Sequence, residues 1–251
     1  MDPTNPAPPR ILPAARRYWN DLACREGFFA ATGSLLQGLW EFVRDSTPGR
    51  LRQRYGDADY DWDYRVNTTS GAVGWRDRLL GVLHSPYQPT EASLFREMLD
   101  ALQHSNLNLG DFTFVDLGSG KGRTLLMASD HPFRHILGME LLPSLNEIAK
   151  QNLARYKSDS QKCFSLETVC ADATTARLPG GPLVIYLFNP FPESGLRRAI
   201  ANLKRSLNED ARPVYVLYHN PMREHVLLED RSFKKIVSTH QYSVFQVLPP
   251  K

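Results

Sequence analysis

The chain has 251 residues, 42% of them hydrophobic, which suits one domain with a sizeable core plus an extension. A formal net charge of +3 leaves no strong electrostatic footprint for a nucleic-acid partner. Cys24, Cys163 and Cys170 are odd in number and widely spaced, so neither a disulfide framework nor a Cys-x-x-Cys zinc site is expected.

In chain order, residues 1–13 are rich in proline and polar groups and read as disordered. They carry no basic-then-apolar leader, and no apolar run approaches the roughly 20 residues of a membrane span, so a cytoplasmic, reduced protein is expected. Residues 14–46 read as helical, with Phe28, Leu35, Leu36, Leu39, Trp40 and Val43 on one face that packs on the main domain or forms a lid. Arg50, Arg52 and Arg54 then give way to Asp57, Asp59, Asp61 and Asp63, interleaved with Tyr55, Tyr60, Trp62 and Tyr64. This stretch reads either as a solvated connector with a few anchoring rings or as a substrate-facing segment suited to a cationic target. The acids lack the glycine and terminal glutamate of a calcium loop, and no metal is expected.

Tyr87-Gln88-Pro89-Thr90-Glu91 precedes a helix whose buried face is Phe95, Met98, Leu99 and Leu102, with Thr90 as a plausible N-cap. The segment around Phe114 to Leu126 then organises the chain. A short apolar strand ends at Asp116, glycines follow at 118, 120 and 122, and a helix begins. Glycine is required where the backbone turns sharply or a ligand comes close. The spacing fails the phosphate-binding P-loop, which needs four residues before Gly-Lys-Ser/Thr. It also fails the dinucleotide fingerprint, because Arg123 stands at the third glycine.

Ile136 to Glu140 reads as a second strand ending in an acid. Glu140 lies about 20 residues beyond Gly118, where nucleotide-binding folds place a ribose ligand. Leu145 to Leu153 reads as a crossover helix and Phe164 to Val169 as a third strand, followed by Asp172. Asp172 reads either as an adenine contact or as a turn cap. The continuous apolar run Pro182 to Phe188 suits a central parallel strand and ends in Asn189-Pro190-Phe191-Pro192. A helix over 194–207 follows, then a fifth strand Val214 to Tyr218 closing with His219, and strands over 233–237 and 242–248. Alternating strands and helices predict an α/β fold, a mostly parallel sheet with helices on both faces.

Asp116-Leu117-Gly118-Ser119-Gly120-Lys121-Gly122, Glu140, Asp172 and Asn189-Pro190-Phe191 stand in the order of the class I S-adenosylmethionine-dependent methyltransferases, which residues 85–248 resemble. The resemblance implies a seven-stranded Rossmann-like sheet with the last strand antiparallel. It divides the chain into a helical extension over 1–84 and a methyltransferase domain over 85–251. It implies S-adenosylmethionine as cofactor, passing close to Gly118, Ser119, Gly120 and Gly122, with Asp116, Tyr87 and Thr90 at its methionine end, Glu140 at the ribose and Asp172 at the adenine. Tyr-x-Pro-Thr followed by Val-Asp-Leu-Gly-Ser-Gly is similar to the seven-strand protein lysine methyltransferases. An amine acceptor is therefore expected, with Asn189 and the Pro190 carbonyl receiving its N–H, Phe191 as an apolar wall, and Tyr64, Tyr218 and His219 orienting it. His219 is the general-base candidate by chemistry. A small-molecule acceptor methylated on nitrogen, oxygen or a carboxylate is the second reading, and a non-enzymatic cofactor-binding module the third.

Overall fold

The computed structural model describes residues 58–68, 89–103 and 107–248, with scattered positions between 16 and 36. Tyr87, the arginines over 50–54 and most of the apolar face expected over 14–46 lie outside the described residues; of that face Phe28 and Leu36 are described, and both are exposed.

In chain order the described elements are α1 (Ala58–Tyr64), α2 (Ala92–Gln103), β1 (Thr113–Leu117), α3 (Arg123–Ser129), β2 (His135–Glu140), α4 (Pro143–Arg155), β3 (Leu166–Cys170), β4 (Leu183–Phe188), α5 (Glu193–Glu209), β5 (Val214–His219), α6 (His225–Leu228), β6 (Phe233–Ser238) and β7 (Tyr242–Val247). The strands form one sheet in the order β3-β2-β1-β4-β5-β7-β6. β1 to β5 run parallel, and β7 is antiparallel to both β5 and β6. This is the mostly parallel α/β sheet expected from the alternation of elements, with the seven-stranded Rossmann-like form that the resemblance implies.

The apolar runs at β1, β4 and β5 sit at the centre because helices cover both faces of the sheet. Phe114, Tyr186 and Leu217 pack into one core with Phe95, Met98 and Leu99 of α2 and Leu125 of α3. Their neighbours Val115, Ile185 and Val216 pack into the opposite core with Leu196, Leu203 and Leu207 of α5. The strand period of two thus divides each strand between the two layers. Strand order reverses between β1 and β4, and the carboxyl ends of these two strands meet there, at the place where open α/β sheets hold ligands.

Two expected elements differ. The stretch read as a connector contains α1. Tyr60 and Tyr64, one helical turn apart, share its inner face with ring centroids 4.7 Å apart, while Trp62 is exposed. β3 begins at Leu166 rather than Phe164, because pairing starts where Leu166 meets Ile136 of β2; Phe164 is exposed before this edge strand. Among the described residues no helix is long and apolar enough to cross a membrane.

Candidate active site

Three backbone reversals explain the alternate glycines. Gly118, Gly120 and Gly122 have φ of 97°, 55° and 82°, in the left-handed region that side chains disfavour. The turn is pinned to the end of β2: Gly118 and Ser119 N–H both donate to the Met139 carbonyl, and Gly120 N–H donates to Glu140 Oε2 at 2.8 Å. Glu140 Oε1 accepts from Leu142 N–H at 2.8 Å, at the start of α4. The buried Glu140 carboxylate therefore joins the glycine turn to the next helix before any ligand is considered.

The glycines do different work. A Cβ at Gly118 would lie 2.7 Å from Pro190 Cβ, so the turn after β1 touches the turn after β4 directly. A Cβ at Gly122 would meet Ala149 and Leu153 of α4 at 3.2 Å. Gly122 thus lets α4 approach closely, and its missing side chain faces α4 rather than the strand ends. Ser119 Oγ is buried, beside Gly138 of β2, without a hydrogen-bond partner among the described residues.

Asp116 is buried, and its Oδ2 accepts the Thr124 hydroxyl. Burial pushes its carboxyl up to about 7; the Thr124 bond opposes this and the nearby Glu140 charge adds to it. No cation pairs with Asp116 among the described residues. Asp172 Oδ1 accepts from both the N–H and the hydroxyl of Thr174, at 2.9 and 2.7 Å. That is the turn cap, one of the two readings of this residue.

Several residues missed by sequence reasoning bury the basic side of the glycine turn. Lys121 Nζ donates to Asn67 Oδ1 at 3.0 Å, and the Arg123 guanidinium lies 4.2 Å from the centre of the Tyr60 ring and donates to Thr68. Asn67 N–H donates to Asn152 Oδ1, while Asn152 Nδ2 donates to the carbonyls of Asn67 and Lys121. The loop after α1, the glycine turn and α4 are tied through one amide. Tyr64 belongs to this cluster: its ring lies tilted at 37° to that of Tyr156 with centroids 5.2 Å apart, and Val66 and Leu126 are close by. Its described partners are Tyr60, Tyr156 and the small cluster around Leu126 rather than the β4 turn.

At the β4 turn, Asn189 has φ 50°, a left-handed conformation that asparagine tolerates. Its Oδ1 accepts the Tyr218 hydroxyl at 3.2 Å and the Arg223 guanidinium at 3.1 Å. Tyr218 Oη in turn accepts the Arg223 N–H, so its proton goes to Asn189 and the amide orientation follows. In this arrangement two donors occupy Asn189 Oδ1, the oxygen expected to receive an amine. Tyr218 is committed likewise, and burial raises its phenol above the usual range. Phe191 packs over Gly195 of α5, against the core beneath that helix.

His219 is buried, with its ring stacked on Phe188 at 3.8 Å. Its Nδ1 lies 2.8 Å from Tyr186 Oη, which lies 2.8 Å from Thr90 Oγ1. This chain holds Thr90 against β4, so its hydroxyl is turned to the sheet rather than devoted to a helix cap. Burial lowers the His219 imidazole to about 4, far from the near-neutral value of an effective general base.

No family model matches the chain, and no curated protein matches it. Solved structures share its general architecture. A ribosomal protein L11 methylase from Lactobacillus delbrueckii subsp. bulgaricus is 16% identical, covers 64% of this chain and 81% of its own, and has a TM-score of 0.44. An RNA methyltransferase from Salinibacter ruber in complex with S-adenosyl-L-homocysteine is 18% identical over 65% and 95%, at 0.41. The magnesium protoporphyrin IX methyltransferase from Synechocystis is 14% identical over 85% and 97%, at 0.45. At such identities and TM-scores these likenesses carry no argument about function, which rests on the site itself.

Proposed function

We propose that this chain is an S-adenosylmethionine-dependent methyltransferase with its transfer site between the turns after β1 and β4. The observation that carries the reading is their meeting at the point where strand order reverses, Gly118 beneath Pro190, with two buried carboxylates behind the glycine turn. The donor set fits the cofactor. Asp116 and Glu140 repel one another and, among the described residues, no cation stands by Asp116, so a ligand bearing an ammonium and a sulfonium matches this pair of carboxylates. Asp116 would balance its positive end, Glu140 would accept from its hydroxyls, and Ser119 Oγ is a further polar atom without a partner among the described residues.

When bound, S-adenosylmethionine supplies an electrophilic methyl group on a cationic sulfur. The chain's own part is alignment and exclusion of water. Asn189, Tyr218 and Arg223 fix the β4 turn in one conformation, and Thr90, Tyr186 and His219 brace the strand beneath it. An amine acceptor, a protein lysine above all, is the reading that the sequence resemblance supports; the Pro190 carbonyl would then receive its N–H. Arg223 supports the second reading, a small-molecule or carboxyl acceptor, because its cation repels an ammonium.

The test is calorimetric binding of S-adenosylmethionine and S-adenosylhomocysteine to the full chain, followed by transfer of labelled methyl from S-adenosylmethionine into separated protein, nucleic-acid and small-molecule pools. Either ligand at 100 times its Kd is expected to stabilise the fold by about 2.7 kcal/mol. No binding and no thermal stabilisation would reject the reading, and binding without transfer would favour the non-enzymatic module.

A pH dependence follows from Asp116. Its carboxyl titrates at about 7 in the free fold, and a cationic ligand beside it favours the ionised form. S-adenosylmethionine affinity is therefore expected to weaken by up to roughly tenfold per pH unit below about 7. The stability of the free protein changes the other way. A raised carboxyl means that the folded state holds the proton more tightly, so this contribution is complete below pH ~4 and lost as pH rises through about 7. Titrations at several pH values check both signs, and Asp116→Asn should flatten the affinity profile; a profile equally steep in that variant assigns the effect to another group.

A further inference from the structure

We infer that Arg223 and the Asn189 amide nitrogen form an anion-recognising edge that selects a methyl acceptor carrying a carboxylate. The inference rests on the methyltransferase reading and narrows it. Asn189 Oδ1 is filled by Tyr218 and Arg223, and its Nδ2 has no acceptor among the described residues, so the Asn189 side chain offers donors and not acceptors. Arg223 reaches Asn189 through one guanidinium nitrogen, at 3.1 Å. A guanidinium carries five N–H donors in a planar fork that matches a carboxylate.

The acids nearby are engaged elsewhere. Glu224 holds Lys235 and the Ser243 hydroxyl. Glu193 holds Arg197 and His225, and Glu229 holds Arg197. Among the described residues no carboxylate pairs with Arg223. A half-buried cation whose bond, among the described residues, is to a neutral amide favours an incoming anion and repels an ammonium. The proton inventory agrees. His219 is engaged with Tyr186 beneath the turn, and Tyr218 gives its proton to Asn189. A carboxylate needs no general base, because it is already ionised at neutral pH.

The experiment compares benzoate, benzamide and benzylamine, probes of one size carrying negative, zero and positive charge. Each is titrated by ligand-observed NMR into the full chain, with and without S-adenosylhomocysteine. Acetyl-glutamate amide is a further arm that separates a protein carboxylate from a small aromatic acid. Benzoate or the glutamate probe is expected to bind at least about tenfold more tightly than benzylamine, the scale of a charge-assisted hydrogen bond. Arg223→Gln should erase that preference. Arg223→Lys should keep part of it, and Arg155→Gln, on the exposed end of α4, should keep all of it. Benzylamine bound as well as both carboxylates, or a preference unchanged in Arg223→Gln, overturns the inference. Failure of S-adenosylhomocysteine to bind, with the anion preference intact, would instead count against the methyltransferase reading.

Discussion

Gly118→Ala is expected to cost about 3–4 kcal/mol of folding stability and to abolish S-adenosylmethionine binding. Two penalties combine. The backbone stands at φ 97°, which a residue with a Cβ adopts only at a cost of about 1–3 kcal/mol. The new Cβ would sit 2.7 Å from Pro190 Cβ, against the ~3.5–4.0 Å at which carbon atoms attract. Overpacking of this kind costs about 1–3 kcal/mol. Pro190 cannot yield freely, because Asn189 before it is held by Tyr218 and Arg223. The strain therefore spreads into both turns that flank the proposed cofactor. Gly33→Ala is the control, since nothing among the described residues lies within 4 Å of its Cβ position; it should be neutral or slightly stabilising. Urea unfolding and calorimetry read the two effects separately. A stability loss under about 1 kcal/mol with binding retained would show that the contact between the turns is not needed.

Much of the fold was legible because its centre is written in local patterns. β4 is a continuous apolar run, as a strand buried on both faces reads, β1 is apolar at Phe114, Val115 and Leu117, and the alternate glycines mark the turn between β1 and α3. Glu140 stood out because a strand end and a spacing coincided. What escaped depends on partners distant in sequence. Asn67 and Asn152 form reciprocal bonds across 85 residues, and Lys121 meets Asn67 across 54; nothing local distinguishes these residues from surface asparagines and lysines. α1 was obscured because its acids and aromatics suggest a solvated connector until Tyr60 and Tyr64 find Arg123 and Tyr156.

The acceptor side was the least legible for the same reason. Residue type made His219 a base candidate, but burial decides its proton affinity. The type of Asn189 allows its amide to donate or accept, and only Tyr218 and Arg223, brought beside it by the β4–β5 pairing, decide which way it faces. Arg223 is one arginine among many in the sequence, and its position against the β4 turn gives it significance.

Glu140→Ala is expected to cost about 3–5 kcal/mol of stability and to weaken S-adenosylmethionine binding beyond detection. The carboxylate accepts from two backbone donors, Gly120 N–H and Leu142 N–H, both at 2.8 Å. Alanine strands both, and each buried unsatisfied donor costs about 1–3 kcal/mol. A partial offset comes from Asp116, whose carboxyl is raised in part by the Glu140 charge; in the variant it should titrate below about 7. Glutamine keeps one carbonyl oxygen for one donor but turns an NH2 toward the other, so Glu140→Gln should lie between the parent and the alanine variant. The same substitutions separate structure from ligand contact. If Glu140 only braces the turn, affinity should recover when stability is restored by an osmolyte that favours the compact state. If it also accepts from the ligand's hydroxyls, the affinity loss should persist in osmolyte. Denaturant midpoints and calorimetry, each with and without trimethylamine N-oxide, decide between these outcomes. Stability within about 1 kcal/mol of the parent with affinity unchanged would remove Glu140 from both roles.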